Sequence, residues 1–236
     1  MTTRHTQSGA ALLAAAYEPL LDTVGGLTDE QAWRPTRCTG WMAGDLIFHL
    51  LADAQRALVA FGSPAAAGAA AGTDAVGYWK EWHPARGPEE AELARQAERQ
   101  LRNTRIMASV WSGIRPLADL YTETARAVLA LAARLPGTEV VRTQGHLITV
   151  DDLLDTLAVE AAVHHLDLLA GLPEAPAPAP EGLAAVHRVL DGLLGHPPAV
   201  DWDDTAYALA GTGRVPLTDA ERRALGPDAD RFPLFG

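Results

Sequence analysis

The chain has a single cysteine, Cys38, among its 236 residues, which excludes an internal disulfide framework. It also lacks a dense block of lysine and arginine, and its formal net charge is -11 with a pI near 5.1. Such a charge repels polyanions, so we expect neither nucleic acid nor an anionic membrane as a partner. Small molecules remain as the expected ligands.

Long apolar runs are missing as well. No stretch approaches the ~18 residues of a membrane-spanning helix, and the start of the sequence has no apolar segment of the signal type. We therefore expect a soluble protein of the reducing cytoplasm, either a monomer or a homodimer. With 48% hydrophobic and 21% charged residues, the composition is that of a globular protein with a sizeable core.

Helical periodicity dominates the sequence, and no repeat or strand-rich region is evident. Apolar spacings of three and four predict four long helices, over about 8–24, 41–60, 116–135 and 149–170. A charged segment at 89–111 predicts an inserted helix, 138–147 a short extended stretch, and the alanine-glycine run at 63–72 a mobile loop. The expected fold is all-α, a four-helix bundle with an inserted helix.

A proline- and alanine-rich run at 173–180 predicts a spacer between packed units. We therefore expect the bundle over 1–172, a linker over 173–181 and a small helical appendage over 182–236. Helices of the appendage are predicted near 182–194 and 205–210, and after Thr218, which can form a capping box with Glu221.

The most informative pattern is a carboxylate and an imidazole one helical turn apart. Glu160 and His164 project within about 40° of each other and share an apolar stripe with leucines. A buried ionised carboxylate is costly unless it is paired or binds a metal. His49 lies at the edge of another apolar helix face, at 40–51, and would complete an N,O,N ligand set with open coordination positions. The alternative is a simple hydrogen bond between Glu160 and His164.

The sequence also suggests roles for other polar residues of the same segments. Asp53, one turn after His49, would accept a proton from a ligand histidine or contact substrate, and its alternative is a solvated charge at the bundle end. His165 points about 100° away from His164, which favours a surface or helix-packing position. Structural hydrogen bonds are expected for Asp45 and Asp167.

Cys38 and an aromatic segment complete the set of candidate residues. Cys38 is expected to have a packing role, because the sequence places no base near it. The aromatic segment 78–82 either covers the mouth of a pocket or pins the preceding loop to the bundle.

Two motifs resemble the mycothiol-dependent maleylpyruvate isomerase family, part of the DinB/YfiT-like superfamily. They are CTGWMAGDLIFHL at 38–50 and EAAVHHLDL at 160–168. The resemblance covers about residues 8–171 and implies a DinB-like four-helix bundle. It also implies that His49, Glu160 and His164 bind a divalent metal ion, usually zinc.

The resemblance further implies mycothiol or a related thiol such as bacillithiol as cosubstrate. A free thiol, with a pKa of about 8.5, is mostly protonated at neutral pH, and Zn²⁺ stabilises its thiolate. Addition to an activated double bond would permit isomerisation, whereas ring opening or displacement would be thiol transfer. We therefore expect a metal-dependent enzyme acting on a small electrophile. A non-catalytic metal- or ligand-binding bundle and a metal-dependent hydrolase are the alternatives.

A third, shorter match points to the appendage. The run ALAGTGR at 208–214 is similar to a Leu-Thr-Gly-Arg stretch in the appended domains of the family. Arg214 would hold a carboxylate of cofactor or substrate with its forked guanidinium, unless it is an ordinary surface arginine. We thus predict catalytic roles for Asp53 and Arg214, with cofactor binding by Arg214.

Overall fold

A computed structural model describes residues 8–82 and 90–236 of the chain. Within these ranges the chain forms nine α-helices and one two-stranded antiparallel sheet, joined by short 3-10 turns. The helices are α1 Gly9–Gly25, α2 Ala43–Phe61, α3 Ala75–Trp79, α4 Glu90–Ser109, α5 Ile114–Ala132, α6 Val150–Leu169, α7 Pro180–Leu194, α8 Asp204–Gly211 and α9 Asp219–Leu225. The strands are β1 Val140–Thr143 and β2 His146–Thr149.

The four-helix bundle consists of α1, α2, α5 and α6, and α4 is the inserted helix that packs on α2. The all-α fold and each of the predicted long helices are thereby confirmed. The N-cap predicted for α6 is also present, since Thr149 Oγ1 accepts a hydrogen bond from the backbone N–H of Asp152 at 3.1 Å.

Helix α6 is buried on nearly all sides because α7 covers the side that the bundle leaves open. The approach is close at Gly182, where an added Cβ would lie 3.2 Å from the Cβ of Ala162 on α6 and 3.3 Å from the Cβ of Ala16 on α1. All residues of α6 from 161 to 168 are buried, so polar side chains there have little access to solvent. Histidines and carboxylates there must be satisfied by other protein groups or by a ligand.

The extended stretch predicted at 138–147 is a two-stranded hairpin at 140–149, two residues further along the chain. Gln144 and Gly145 form its turn with φ values of +45° and +89°, the left-handed pair that a two-residue hairpin turn requires. The preceding segment at 63–72 is attached to it: the N–H of Ala65 donates to Val140 O and that of Gly72 to Leu147 O, both at 2.8 Å. The segment is thus attached to the hairpin near both of its ends, and its mobility stays a prediction.

The C-terminal residues form helices that pack on the bundle through α7 and on one another. The predicted capping box is confirmed, because Thr218 Oγ1 accepts from the N–H of Glu221 at 3.2 Å and Glu221 Oε2 accepts from the N–H of Thr218 at 2.7 Å. The aromatic rings of Phe235 and Trp79 are 4.5 Å apart, which ties the chain end to α3. The division at 173–181 into separate units stays a prediction.

Among the described residues, none of the helices combines the length and the apolar character needed to cross a bilayer.

Asp155 offers a test of the tight packing between α6 and α7. Burial raises the pKa of its carboxyl to about 6, an effect that Arg188 opposes and that neighbouring carboxylates reinforce. The folded state thus holds this proton more tightly than the unfolded state, whose value is near 3.8, so ionisation costs stability as pH rises from about 4 to about 6. We expect Asp155→Asn to remove that cost.

The measurement is urea unfolding of wild type and Asp155→Asn at a pH of about 4.5 and about 7.5. The variant should gain stability relative to wild type at the higher pH. Asp201→Asn, on an exposed loop before α8, is the matched control for the Asp-to-Asn change and is measured under the same conditions. A difference between wild type and Asp155→Asn that is the same at both pH values would contradict the assignment.

Candidate metal centre

Helices α2 and α6 bring together the three residues predicted as metal ligands. Glu160 Oε2 lies 3.0 Å from His164 Nε2 and 4.0 Å from His49 Nε2. The two imidazole rings meet edge to face at 4.8 Å between centroids. One potential ligand atom from each residue lies within 4.8 Å of the others. The predicted juxtaposition is present, and ligation of a metal by it stays a prediction.

The three side chains differ in their access to solvent. His164 is buried, with 8% of its side chain exposed, whereas His49 and Glu160 are exposed by 19% and 25%. The indole of Trp41 covers one side of His49, with ring centroids 5.1 Å apart. The cluster is therefore closed on the side of His164 and open on the side of the other two residues, which gives a small ligand a route of entry.

Asp167 lies behind His164 and is fully buried. His164 Nδ1 donates to Asp167 Oδ2 at 2.9 Å, because a carboxylate can only accept. His164 Nε2 faces Glu160 Oε2 at 3.0 Å and donates to it, so a metal ion bound at Nε2 would replace that second proton. Carboxylates in this position orient metal-binding histidines in many proteins. The hydrogen-bonding role predicted for Asp167 is confirmed.

Arg214, from the segment after α8, holds the same carboxylate from the other side. Its Nε donates to Asp167 Oδ1 and its Nη2 to Asp167 Oδ2, both at 3.2 Å, and its Nη1 donates to the carbonyl of Thr212 at 3.0 Å. Burial would raise the pKa of Asp167, but the hydrogen bond from His164 and the charge of Arg214 outweigh it and hold the pKa well below its usual range. Arg214 thus reaches this cluster, and its catalytic and cofactor-binding roles stay predictions.

Cys38 is the residue that sequence reasoning missed. Its Sγ donates to Asp167 Oδ2 at 3.0 Å and lies 3.8 Å from His164 Nδ1. The expectation of a packing role with no base nearby is wrong, because the thiol belongs to the hydrogen-bonded layer behind His164. Nothing local in the sequence signals this contact, since the partners lie more than 120 residues further along the chain.

Asp53 extends the cluster along α2. Its Oδ2 lies 3.3 Å from His49 Nε2, and this oxygen is buried without a hydrogen bond of good geometry to any residue in 8–82 or 90–236. Burial and the neighbouring charge of Glu160 raise the pKa of Asp53 well above its usual range. Asp53 therefore lies at the site, as predicted, and its catalytic role stays a prediction.

The two histidines have opposite shifts in pKa. Burial and the nearby charge of His164 lower the pKa of His49 to about 4. Burial alone would lower the pKa of His164 as well. Its hydrogen bonds with Asp167, Cys38 and Glu160 outweigh burial, so the pKa of His164 is raised. His49 is therefore neutral at physiological pH, the form in which an imidazole can ligate a metal.

The remaining predicted residues have structural partners. Asp45 Oδ2 accepts from the N–H of Met42 at the start of α2 and from Arg105 on α4, at 2.9 and 2.8 Å. His165 is fully buried between α6 and α1, with its Nε2 3.0 Å from Thr23 Oγ1, so it is a helix-packing residue.

The aromatic segment beside the site is anchored. Tyr78 and Trp79 are both buried, and the Tyr78 hydroxyl accepts from Gln144 Nε2 at 3.2 Å. Burial, reinforced by the charges of Glu160 and Asp53, raises the pKa of the Tyr78 phenol. The segment thus pins the preceding loop to the bundle, and its predicted alternative of covering a pocket mouth stays a prediction.

A bundle with two histidines and a glutamate on facing helices defines the class as a DinB-like helical protein with a candidate metal centre. Residues 13–169 match the family model described as the mycothiol maleylpyruvate isomerase N-terminal domain, and the chain belongs to this family. The match contains all three predicted ligands and confirms the resemblance seen in the motifs. Comparisons with curated proteins and with solved structures give no match.

Proposed function

We propose that the protein is a metal-dependent enzyme that activates a low-molecular-weight thiol, mycothiol or a relative, for transfer to or isomerisation of a small electrophile. The observation that carries the proposal is the set of His49, Glu160 and His164 on facing helices, open on one side. Membership of a family described by a mycothiol-dependent isomerase supports the thiol part of the proposal.

The donor set fits a divalent metal ion, zinc foremost. Two imidazole nitrogens and one carboxylate oxygen are the ligands of many catalytic zinc sites with an open fourth position. Asp167 holds Nδ1 of His164, so a metal ion would take the place of the proton that Nε2 shares with Glu160. The buried Oδ2 of Asp53 is left without a good hydrogen bond. When bound, such an ion would lower the pKa of a thiol ligand, so that the thiol would be present as the thiolate at neutral pH.

Two neighbouring residues would then accept the proton of the thiol and bind a negatively charged group of the cofactor. Asp53 Oδ2 is the proposed acceptor of the thiol proton, because it lies next to His49 with no partner of good geometry. Arg214 donates hydrogen bonds from Nε and Nη2 to Asp167 and from Nη1 to the carbonyl of Thr212. Its Nη2 also lies 4.0 Å from the sulfur of Cys38. Its second Nη1 hydrogen is the proposed donor to the cofactor.

The test is calorimetric titration of the zinc-loaded protein with mycothiol, bacillithiol and glutathione in separate experiments. We expect saturable binding of mycothiol or its relative bacillithiol, and none to the protein stripped of metal by a chelator. A panel of electrophiles should then turn over only when thiol is present. Hydrolysis indifferent to added thiol would overturn the proposal in favour of a hydrolase, and thiol binding without turnover would favour a non-catalytic bundle.

A further inference from the structure

The C-terminal end of α4 presents an apolar cluster to solvent. Leu101 and Thr104 lie on the packed side of the helix, where Thr104 is buried and Leu101 is partly buried. Ile106 and Met107, and Val110 directly after the helix, project away from that side and are all exposed, Val110 by 70%. Because the solvated side of a helix is ordinarily polar, three large apolar side chains there indicate a surface that lacks its partner.

The turn that contains Trp33 lies at the same end of the bundle. Trp33 is 75% exposed, more than any other large apolar side chain in the described ranges. Asp29, at the start of this turn, accepts a hydrogen bond from the backbone N–H of Ile114 at 2.7 Å. This contact holds the turn against the segment that follows α4. We call the surface made by Trp33, Ile106, Met107 and Val110 the α4 face.

The charge of α4 differs from that of the chain as a whole. The helix contains three glutamates and four arginines, a net charge of +1, whereas the chain carries -11. A net charge of this size makes two copies of the chain repel each other over most of their surfaces. The repulsion is weakest where the local surplus of negative charge is absent, as it is on α4. This helix is therefore a favourable place for two copies to meet.

Two exposed residues of opposite charge flank the α4 face, one on each of its two elements. Arg102 is one helical turn before Ile106, and Glu30 is three residues before Trp33. Neither forms an ion pair within the part of the chain that the structure describes, in contrast to Arg105, which is paired with a carboxylate on α2. An apolar centre with one acidic and one basic flank is complementary to itself after a rotation of 180°, as a twofold dimer requires.

We propose that the α4 face is the interface of a twofold homodimer, with a second copy of the chain as its partner. Burial of the apolar centre supplies the affinity, because it removes large apolar side chains of both copies from water. Pairing of Glu30 with Arg102 of the partner subunit sets the register of the two copies. A stable interface covers about 800 Å² on each copy, so the polar residues of α4 around the apolar centre form its rim.

Sedimentation velocity of the purified chain at about 1 to about 100 μM measures the association. Wild type should reach twice the 25.0 kDa mass of the chain at the higher concentration. Ile106→Glu and Val110→Glu each place a charge in the apolar centre, so the Kd of the dimer should rise roughly tenfold or more. Val59→Glu is the matched control, because Val59 is an exposed apolar residue near the C-terminal end of α2, and its Kd should equal that of wild type.

Charge reversal tests the twofold pairing. Glu30→Arg and Arg102→Glu should each weaken the dimer, and the double variant should regain affinity, because each copy again presents one charge of each sign. Circular dichroism on the same samples should show unchanged helix content, since all four substituted side chains are exposed. A wild type that stays monomeric, a dimer of wild-type Kd in Ile106→Glu and Val110→Glu, or a double variant weaker than both single charge variants would overturn the proposal.

Discussion

Replacing His49 or His164 by alanine is expected to abolish stoichiometric metal binding, the largest effect we predict at the site. Each substitution leaves two of the three protein donors, and neighbouring residues offer no imidazole to replace the one removed. Wild-type protein loaded at neutral pH should hold about one equivalent of zinc or a similar divalent ion per chain. Elemental analysis of the desalted proteins measures both results.

The matched control is His196→Ala, because this histidine is half exposed on the loop after α7 and lies outside the cluster. It should keep the metal content of wild type. Circular dichroism should show that the alanine variants remain helical, since the core of the bundle does not depend on these side chains. Wild-type protein without metal after loading, or alanine variants with a full equivalent, would refute the metal centre.

The central pair of the site can be predicted from the sequence because its geometry is local. Glu160 and His164 are four residues apart, and helical periodicity alone places them on one face. His49 required one further step, the meeting of two apolar helix faces, which burial of those faces favours. The same argument extends to the bundle as a whole, whose helices follow from apolar spacing and caps.

The layer behind His164 could not be found in this way. Cys38 and Arg214 reach Asp167 from loops, and a loop residue has no periodicity that fixes the direction of its side chain. The contact of the segment at 63–72 with the hairpin could not be predicted for a related reason. Its attachment to the hairpin is made by backbone groups, whose hydrogen bonds leave no pattern of apolar and polar residues in the sequence.

Arg214→Ala is expected to destabilise the fold by about 3 kcal/mol, toward the lower end of the cost of breaking a buried ion pair. Asp167 is fully buried and would lose both guanidinium hydrogen bonds, although it would keep those from His164 and Cys38. Combining Arg214→Ala with Asp167→Asn removes the uncompensated charge. The double variant should therefore be more stable than Arg214→Ala alone.

Urea unfolding of wild type, the two single variants and the double variant gives the coupling between the two residues.

Arg214→Lys keeps the charge but loses the forked guanidinium, so its thiol-dependent turnover should fall while its metal content stays that of wild type. Asp167→Asn should instead weaken zinc affinity by about 10- to 100-fold, because the residue orients the ligand His164. Additive stabilities would show that the pair is not coupled, and turnover at wild-type level in Arg214→Ala would restrict Arg214 to a structural role.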